Sequence, residues 1–239
     1  MSKDKVAIVT GASRGIGKAI TIKLIQLGYQ VIGIYYSHDV LASELEKQYP
    51  QLTMIKGDVT DEKFVLRVID TATTKYQKID AVINNVGIDL FGKIENYKTE
   101  NWDTMMDTNL KSAFLFSKYS INYLKKSDNP IIINISSRIG FPDFSEPDFI
   151  VYGITKSALN YFTVALSKEL EETGIRVNAV IPTPTKTDLF DEVFTKEDEN
   201  ILRNKGKLGK PEEVADLVAE LIQDRKSNGK ILIDKRVNL

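Results

Sequence analysis

A chain of 239 residues with 33 acidic and 32 basic side chains, a net charge of −1, suits one large α/β domain and carries no electrostatic footprint for nucleic acid. Hydrophobic residues make up 42% and charged residues 27%, an ordinary globular balance, and no apolar run approaches the ~18 residues of a membrane helix. The absence of cysteine excludes disulfides, thiol nucleophiles and Cys-ligated zinc, and the single histidine, His38, leaves a Ser-His-Asp hydrolase only one source of a general base.

Met1-Ser2-Lys3-Asp4-Lys5 leads into the first predicted strand with no signal-like apolar segment, so a cytoplasmic protein is expected. That strand, Val6–Thr10, runs into Gly11-Ala12-Ser13-Arg14-Gly15-Ile16-Gly17 and then a helix with the apolar stripe Ile16, Ile20, Leu24 and Leu27. Gly11 permits a tight turn, Gly15 lets backbone approach a pyrophosphate, and Gly17 allows close helix packing. The helix N-terminus supplies free N–H groups and a positive dipole end. The turn residues Gly11, Ser13, Arg14, Gly15, Ile16 and Gly17 are therefore expected to hold a dinucleotide.

The second strand, Val31–Tyr35, ends where an NAD site usually carries an acid, ~20 residues past the glycines. Here the place holds Tyr35, Tyr36 and Ser37; Asp39 comes too late, and Arg14 is available to pair a 2′-phosphate. NADP(H) is expected over NAD(H). The third strand, Leu52–Lys56, precedes Asp58-Val59 and a helix with Phe64, Val68, Ile69 and Ala72 inward. The fourth, Ala81–Ile83, leads to Asn84-Asn85-Val86-Gly87, and Thr99 is read as the cap of a helix carrying Trp102, Met105, Met106 and Leu110.

The fifth strand, Ile131–Ile135, is followed by Ser136-Ser137, and the sixth, Arg176–Ile181, by Pro182. From Thr183 to Lys207 no periodicity is evident, which suggests a substrate loop or lid. Pro211 opens a helix through Glu220, and Ile231–Asp234 closes the series. Short β-rich runs alternating with amphipathic helices predict an α/β fold: a single Rossmann-type domain over residues 1–239, with a doubly wound parallel sheet of about seven strands.

Tyr152 and Lys156 stand four residues apart, on one face of a helix. A free phenol titrates near ~10; an adjacent ammonium favours the phenolate and would bring it toward working range. With the glycine turn and the serine pair, this spacing points to a nicotinamide-dependent carbonyl reductase or alcohol dehydrogenase.

Thr10–Gly17, Asp58-Val59, Asn84–Gly87, Asn109, Ile135-Ser136-Ser137, Tyr152–Lys156 and Arg176–Pro182 together resemble the classical short-chain dehydrogenases/reductases, over nearly the full chain and most nearly the β-ketoacyl carrier-protein reductases. The resemblance implies that Tyr152 is the proton donor or acceptor, that Lys156 lowers its pKa and binds the nicotinamide ribose, and that Ser137 polarises the carbonyl oxygen. Asn109 would hold a relay water. Ser137 is preferred to Ser136 because Gly140 follows three residues later, as in the family. Tyr35, Asp58, Val59, Asn85, Gly87, Pro182 and Thr187 join the cofactor site on the same ground, Thr187 toward the carboxamide. No metal site is expected. The helices around Trp102–Tyr123 and Tyr152–Leu170 would form a subunit interface, giving a homo-tetramer or dimer.

Departures from the family pattern matter too. Val86 stands where Ala is usual, and Thr183 replaces a Gly that visits positive φ cheaply. The segment Gly140–Tyr152, with Phe141, Phe144, Glu146 and Phe149, is about two residues longer, and reads either as a reshaped pocket wall or as a surface loop. Lys235 and Arg236 replace two glycines after the last strand. Acids crowd the 188–199 loop, and Glu171-Glu172 would repel an acidic carrier protein. The reading is an NADP(H)-dependent oxidoreductase interconverting a small carbonyl compound and its secondary alcohol. Two alternatives stand beside it: a 3-oxoacyl carrier-protein reductase, and a catalytically silent dinucleotide-sensing protein.

Overall fold

Val6 and Ile8 of the first strand face one way and Ala7 and Val9 the other, yet all four are fully buried. A strand apolar on both faces needs a layer of helices on each side, and the computed structural model, which describes residues 4–237, shows that arrangement. Met1, Ser2 and Lys3 of the expected leaderless start lie outside the described residues.

The strands are β1 (Lys5–Thr10), β2 (Tyr29–Tyr35), β3 (Leu52–Lys56), β4 (Ala81–Asn84), β5 (Ile131–Ile135), β6 (Arg176–Ile181) and β7 (Ile231–Ile233). They form one parallel sheet in the order β3-β2-β1-β4-β5-β6-β7. Register is set by apolar pairs such as Ile8 with Ile32 on one side and Val82 on the other. The doubly wound sheet expected from the sequence is the one observed; β3, β5 and β6 have the expected bounds and the other four strands differ by one or two residues at one end.

Helices α1 (Gly15–Gln26) and α2 (Asp39–Gln48) pack on the Ala7/Val9 face, joined there by α9 (Pro211–Gln223) through Val214, Val218 and Leu221. The Val6/Ile8 face is covered by α3 (Glu62–Tyr76), α5 (Ser112–Leu124) and α6 (Ile150–Glu169), through Phe64, Phe116 and Leu166. Between β4 and α5 lies α4 (Thr99–Met106). Thr99 is its first residue rather than its cap: Lys98 holds the cap position and no side chain closes the turn. A single π turn, Asp107–Lys111, joins α4 to α5.

The segment 183–207 has more structure than its missing periodicity suggested. It forms α7 (Asp188–Val193), capped by Thr187, and α8 (Lys196–Asn204), closed by a Thr195/Asp198 capping box. Both are too short for an apolar stripe to show in the sequence. Among the described residues, no helix is long and apolar enough to cross a membrane.

Candidate active site

The sheet reverses its winding direction between β1 and β4, and ligands of open α/β sheets bind outside the strand C-termini at such a point. A cavity of about 700 Å³ lies there. Its lining includes every residue the sequence assigned to cofactor binding, from Gly11 to Thr187, together with Tyr152 and Lys156.

The floor is the glycine turn. Gly11 and Gly15 both adopt positive φ, at 68° and 53°. Gly17 has a different constraint: a Cβ there would lie 2.0 Å from the Gly11 carbonyl oxygen. Asn85 braces the turn from behind. Its side-chain amide donates to Thr10 O (2.9 Å) and its backbone N–H to Thr10 Oγ1 (2.9 Å). No side chain caps α1, so its first N–H groups are left for a ligand. The uncapped helix end, a bed where side chains would clash, and a volume within the roughly 300–1,000 Å³ of small-molecule sites together fit a dinucleotide.

At one end stand Tyr35, Asp58 and Arg14. Tyr35 hydrogen-bonds Asp39, which is ion-paired to Lys56 at 2.7 Å. The Asp58 carboxylate accepts from the N–H and hydroxyl of Thr60, both at 2.8 Å. Arg14 is already paired. Its Nη1 donates to Asp188 at the start of α7, 2.7 Å away, which ties the glycine turn to the 183–207 segment.

At the other end α6 presents Tyr152 and Lys156. The Lys156 ammonium is 5.6 Å from the Tyr152 ring centroid and donates to Ile135 O at 3.0 Å. The Ser137 side chain hydrogen-bonds the Tyr152 hydroxyl, whereas Ser136 donates to Lys156 O at 3.4 Å, on the helix backbone. Asn109 sits in the π turn, buried. Its Oδ1 accepts from Ile88 N (2.8 Å), and its Nδ2 donates to Ile88 O (2.9 Å) and Thr155 Oγ1 (3.2 Å). Gly87 closes the cluster; a Cβ there would be 3.2 Å from Lys156 Nζ.

The electrostatics differ from the sequence expectation. Burial first, and the charge of Asp89 second, push the Tyr152 phenol above its ordinary 10.0, while the Ser137 hydrogen bond pulls the other way. Burial lowers Lys156 from 10.5 to about 8, against an upward pull from Asp89. Lys156 therefore loses its proton before the phenol would ionise and is neutral when a phenolate would need it. In the ligand-free site Tyr152 is held as a proton-bearing acid rather than a primed base.

Two residues the sequence reading passed over belong to this region. Thr155 links Asn109 to α6, and its hydroxyl also donates to Tyr152 O at 2.8 Å. Asp89 is an acid inside the otherwise apolar run Val86-Gly87-Ile88-Asp89-Leu90-Phe91, and its Oδ1 is buried without a hydrogen-bond partner. That lone charge in an apolar run was the available signal.

Thr183 has no positive φ; it is buried, and its hydroxyl donates to Lys207 O at 2.6 Å, pinning together both ends of the 183–207 segment. Thr187 Oγ1 accepts from Phe190 N at 3.2 Å. The longer Gly140–Tyr152 segment is fastened to the loop after β4: Gly92 N donates to Asp148 O (2.9 Å) and Phe91 stacks on Phe149 at 6.2 Å. Three of the six acids between Thr183 and Lys207 are paired within the segment, Lys186 pairing Asp191 and Glu199, Arg203 pairing Glu199, and the Asp198 carboxylate accepting from Thr195 N. Arg236, in the glycine position, bonds Asp234 (2.7 Å) and Glu213 (2.9 Å).

Comparison with known proteins gives the family and agrees with the fold. The family model described as short chain dehydrogenase matches residues 5–198. A 3-oxoacyl carrier-protein reductase of Thermotoga maritima is 34% identical over 230 residues, 94% of this chain and 93% of that one. A short-chain dehydrogenase/reductase of Serratia marcescens superposes with a TM-score of 0.89 at 28% identity, covering 96% of both chains. A short chain dehydrogenase of Burkholderia cenocepacia, solved with NADP, gives 0.86 at 26% identity over 96% of this chain and 95% of that one.

Proposed function

The chain belongs to the short-chain dehydrogenase family, as an oxidoreductase acting on CH–OH groups, and we propose that it is an NADP(H)-dependent enzyme interconverting a small carbonyl compound and its secondary alcohol. The observation that carries this reading is the Tyr152–Lys156 pair at one end of a dinucleotide-sized cavity, with Ser137 bonded to the phenol. When bound, the nicotinamide supplies or accepts the hydride.

The chain's own residues do the rest. Tyr152, kept protonated by burial, holds the proton that a carbonyl oxygen receives at its Oη. Ser137, bonded to that hydroxyl, is the second donor for the same oxygen and steadies its developing charge. Lys156, on the cavity wall one helical turn from Tyr152, takes the nicotinamide ribose. Asn109 positions Gly87 and Ile88 against Lys156 and braces α6 through Thr155. Gly11, Ser13, Gly15, Ile16 and Gly17 cradle the pyrophosphate, Asp58, Val59 and Tyr35 border the adenosine end, and Pro182 and Thr187 border the carboxamide. NADPH consumption with a panel of aldehydes and ketones tests the assignment. Binding without turnover of any member would favour the silent dinucleotide sensor instead.

A carrier-bound 3-oxoacyl substrate is the second reading, favoured by the likeness to the Thermotoga reductase. Glu171 and Glu172, both exposed on the turn after α6, oppose an acidic carrier. Faster turnover of a 3-oxoacyl carrier protein than of the matching pantetheine thioester would favour it.

The preference for NADP(H) rests on Arg14 and on the lack of an acid at the end of β2. Arg14→Ala should weaken NADPH binding roughly tenfold, as expected for a charge-assisted phosphate contact, and leave NADH unchanged. Asp188→Asn, which frees Arg14 from its 2.7 Å pairing, should strengthen NADPH binding. Titration of the reduced cofactors by fluorescence reads both; equal loss for NADH and NADPH in Arg14→Ala would overturn the assignment.

The partner we propose is a second copy of the chain. An apolar groove runs between the π turn, α5 and α6, lined by Leu110, Phe114, Ile154, Ala158, Tyr161 and Phe162. Tyr161 is 77% exposed and Phe114 46%, an unusual apolar face for a monomer. Phe114→Glu with Tyr161→Glu should yield a folded monomer, measured by light scattering. An unchanged mass would show that the face is not the interface.

A further inference from the structure

Asp89 has no task in the mechanism above. Its Oδ1 is closed to solvent and accepts no hydrogen bond, an uncommon state for a carboxylate, which normally gathers donors. The backbone cannot readily carry it elsewhere, because the loop is pinned on both sides. Ile88 N and O are held by Asn109. Leu90 N donates to Met105 Sδ (3.1 Å), Leu90 O accepts from the Tyr97 hydroxyl, and Gly92 N is bonded to Asp148 O.

This fixed carboxyl stands two residues beyond Gly87, the glycine packed against Lys156, and its charge acts on both Lys156 and Tyr152. Just past it, the Phe91–Phe149 stack joins the longer segment to the loop. Burial raises Asp89 from 3.8 to about 6, against a downward pull from Lys156, so at neutral pH most of it is ionised, with its buried Oδ1 unpaired.

Resting on the reductase reading, we propose that Asp89 is a specificity-determining residue: its carboxylate accepts a hydrogen bond from a hydroxyl or protonated amine on the carbon next to the reacting carbonyl, and it repels substrates carrying a carboxylate there. A site built around a buried acceptor discriminates strongly against an analogue that cannot pair it, because the acceptor is then left bare. The substrate class is thus a carbonyl compound with an adjacent hydrogen-bond donor.

The test compares near-isosteric ketones with NADPH: 2-hydroxyacetophenone, 2-aminoacetophenone, propiophenone and benzoylformate. The wild-type protein should favour the hydroxy and amino ketones over propiophenone by about tenfold or more in kcat/KM, and turn over benzoylformate poorly. In Asp89→Leu the hydroxy-to-ethyl ratio should collapse toward one. Asp89→Asn, which keeps an acceptor but loses the charge, should retain the hydroxyl preference, lose the amine advantage and admit benzoylformate. The ratios cancel any general effect on folding or on Tyr152, and the Asn variant alone suffices if the Leu variant does not fold. A wild-type ratio near one, or an equal loss on all four ketones, would overturn the proposal and leave Asp89 acting only through Tyr152. Failure to turn over any ketone despite NADPH binding would instead sink the reductase reading, and this inference with it.

Discussion

Tyr152→Phe is expected to lower kcat by about 10²–10⁴-fold, the range typical of losing a positioned general acid, while NADPH binds with roughly its original affinity. The substitution removes one oxygen. That oxygen is the partner of Ser137, and the phenol is held protonated by burial and by Asp89. No cysteine exists to substitute as an acid, and the sole histidine, His38, lies at the opposite end of the cavity beside Tyr35 to Ser37. Lys156 is another proton source nearby, but its ammonium is bonded to Ile135 O at 3.0 Å. Single-turnover rates with saturating NADPH, set beside a fluorescence titration of the cofactor, separate chemistry from binding. If the variant keeps a large share of its turnover, Tyr152 is not the proton donor. A loss of cofactor affinity equal to the loss of rate would show that the phenol serves binding instead.

The fold was legible because its signals are local. Each strand is a short apolar run, and the glycine turn sits at the end of β1, where the strand must give way to a helix. The Tyr152–Lys156 spacing was legible for a related reason: four residues on a helix have only one geometry. What the sequence hid depends on three-dimensional company. Asp188 read as one acid among many, because nothing in its spacing reveals that Arg14, 174 residues away, is its partner. Thr183 looked like a strained glycine replacement, whereas its hydroxyl bond to Lys207 O gives a β-branched residue its own use there. The direction of the Tyr152 shift was hidden as well. Spacing shows that a cation is close but not how deeply both groups are buried, and desolvation outweighs proximity here. Asn109 was found through a motif, yet the π turn that aims it at Ile88 and Thr155 has no signature in composition.

Lys156→Met is expected to cost most of the activity and yet make the protein more stable at pH 7. Lys156 is 3% exposed, and its displacement from 10.5 to about 8 corresponds to about 3 kcal/mol of penalty for carrying the cation inside. Methionine fills a similar volume without charge. Against this gain stands the lost hydrogen bond to Ile135 O, so the net should be about 1–2 kcal/mol, or a rise of roughly 2–8 °C in Tm for a domain of this size. The sign can be checked with pH. Between about 8 and 10.5 the unfolded chain still holds this proton and the folded chain does not. Unfolding then takes up a proton, and wild-type stability gains with rising pH across that window. The variant lacks the group, so its advantage should shrink as pH climbs from 7 toward 10. A Tm advantage that is absent at pH 7, or that widens with pH, would mean that Lys156 is well solvated or well paired in the folded protein. The expected pattern would instead mark Lys156 as a residue kept for its chemistry at the expense of the fold.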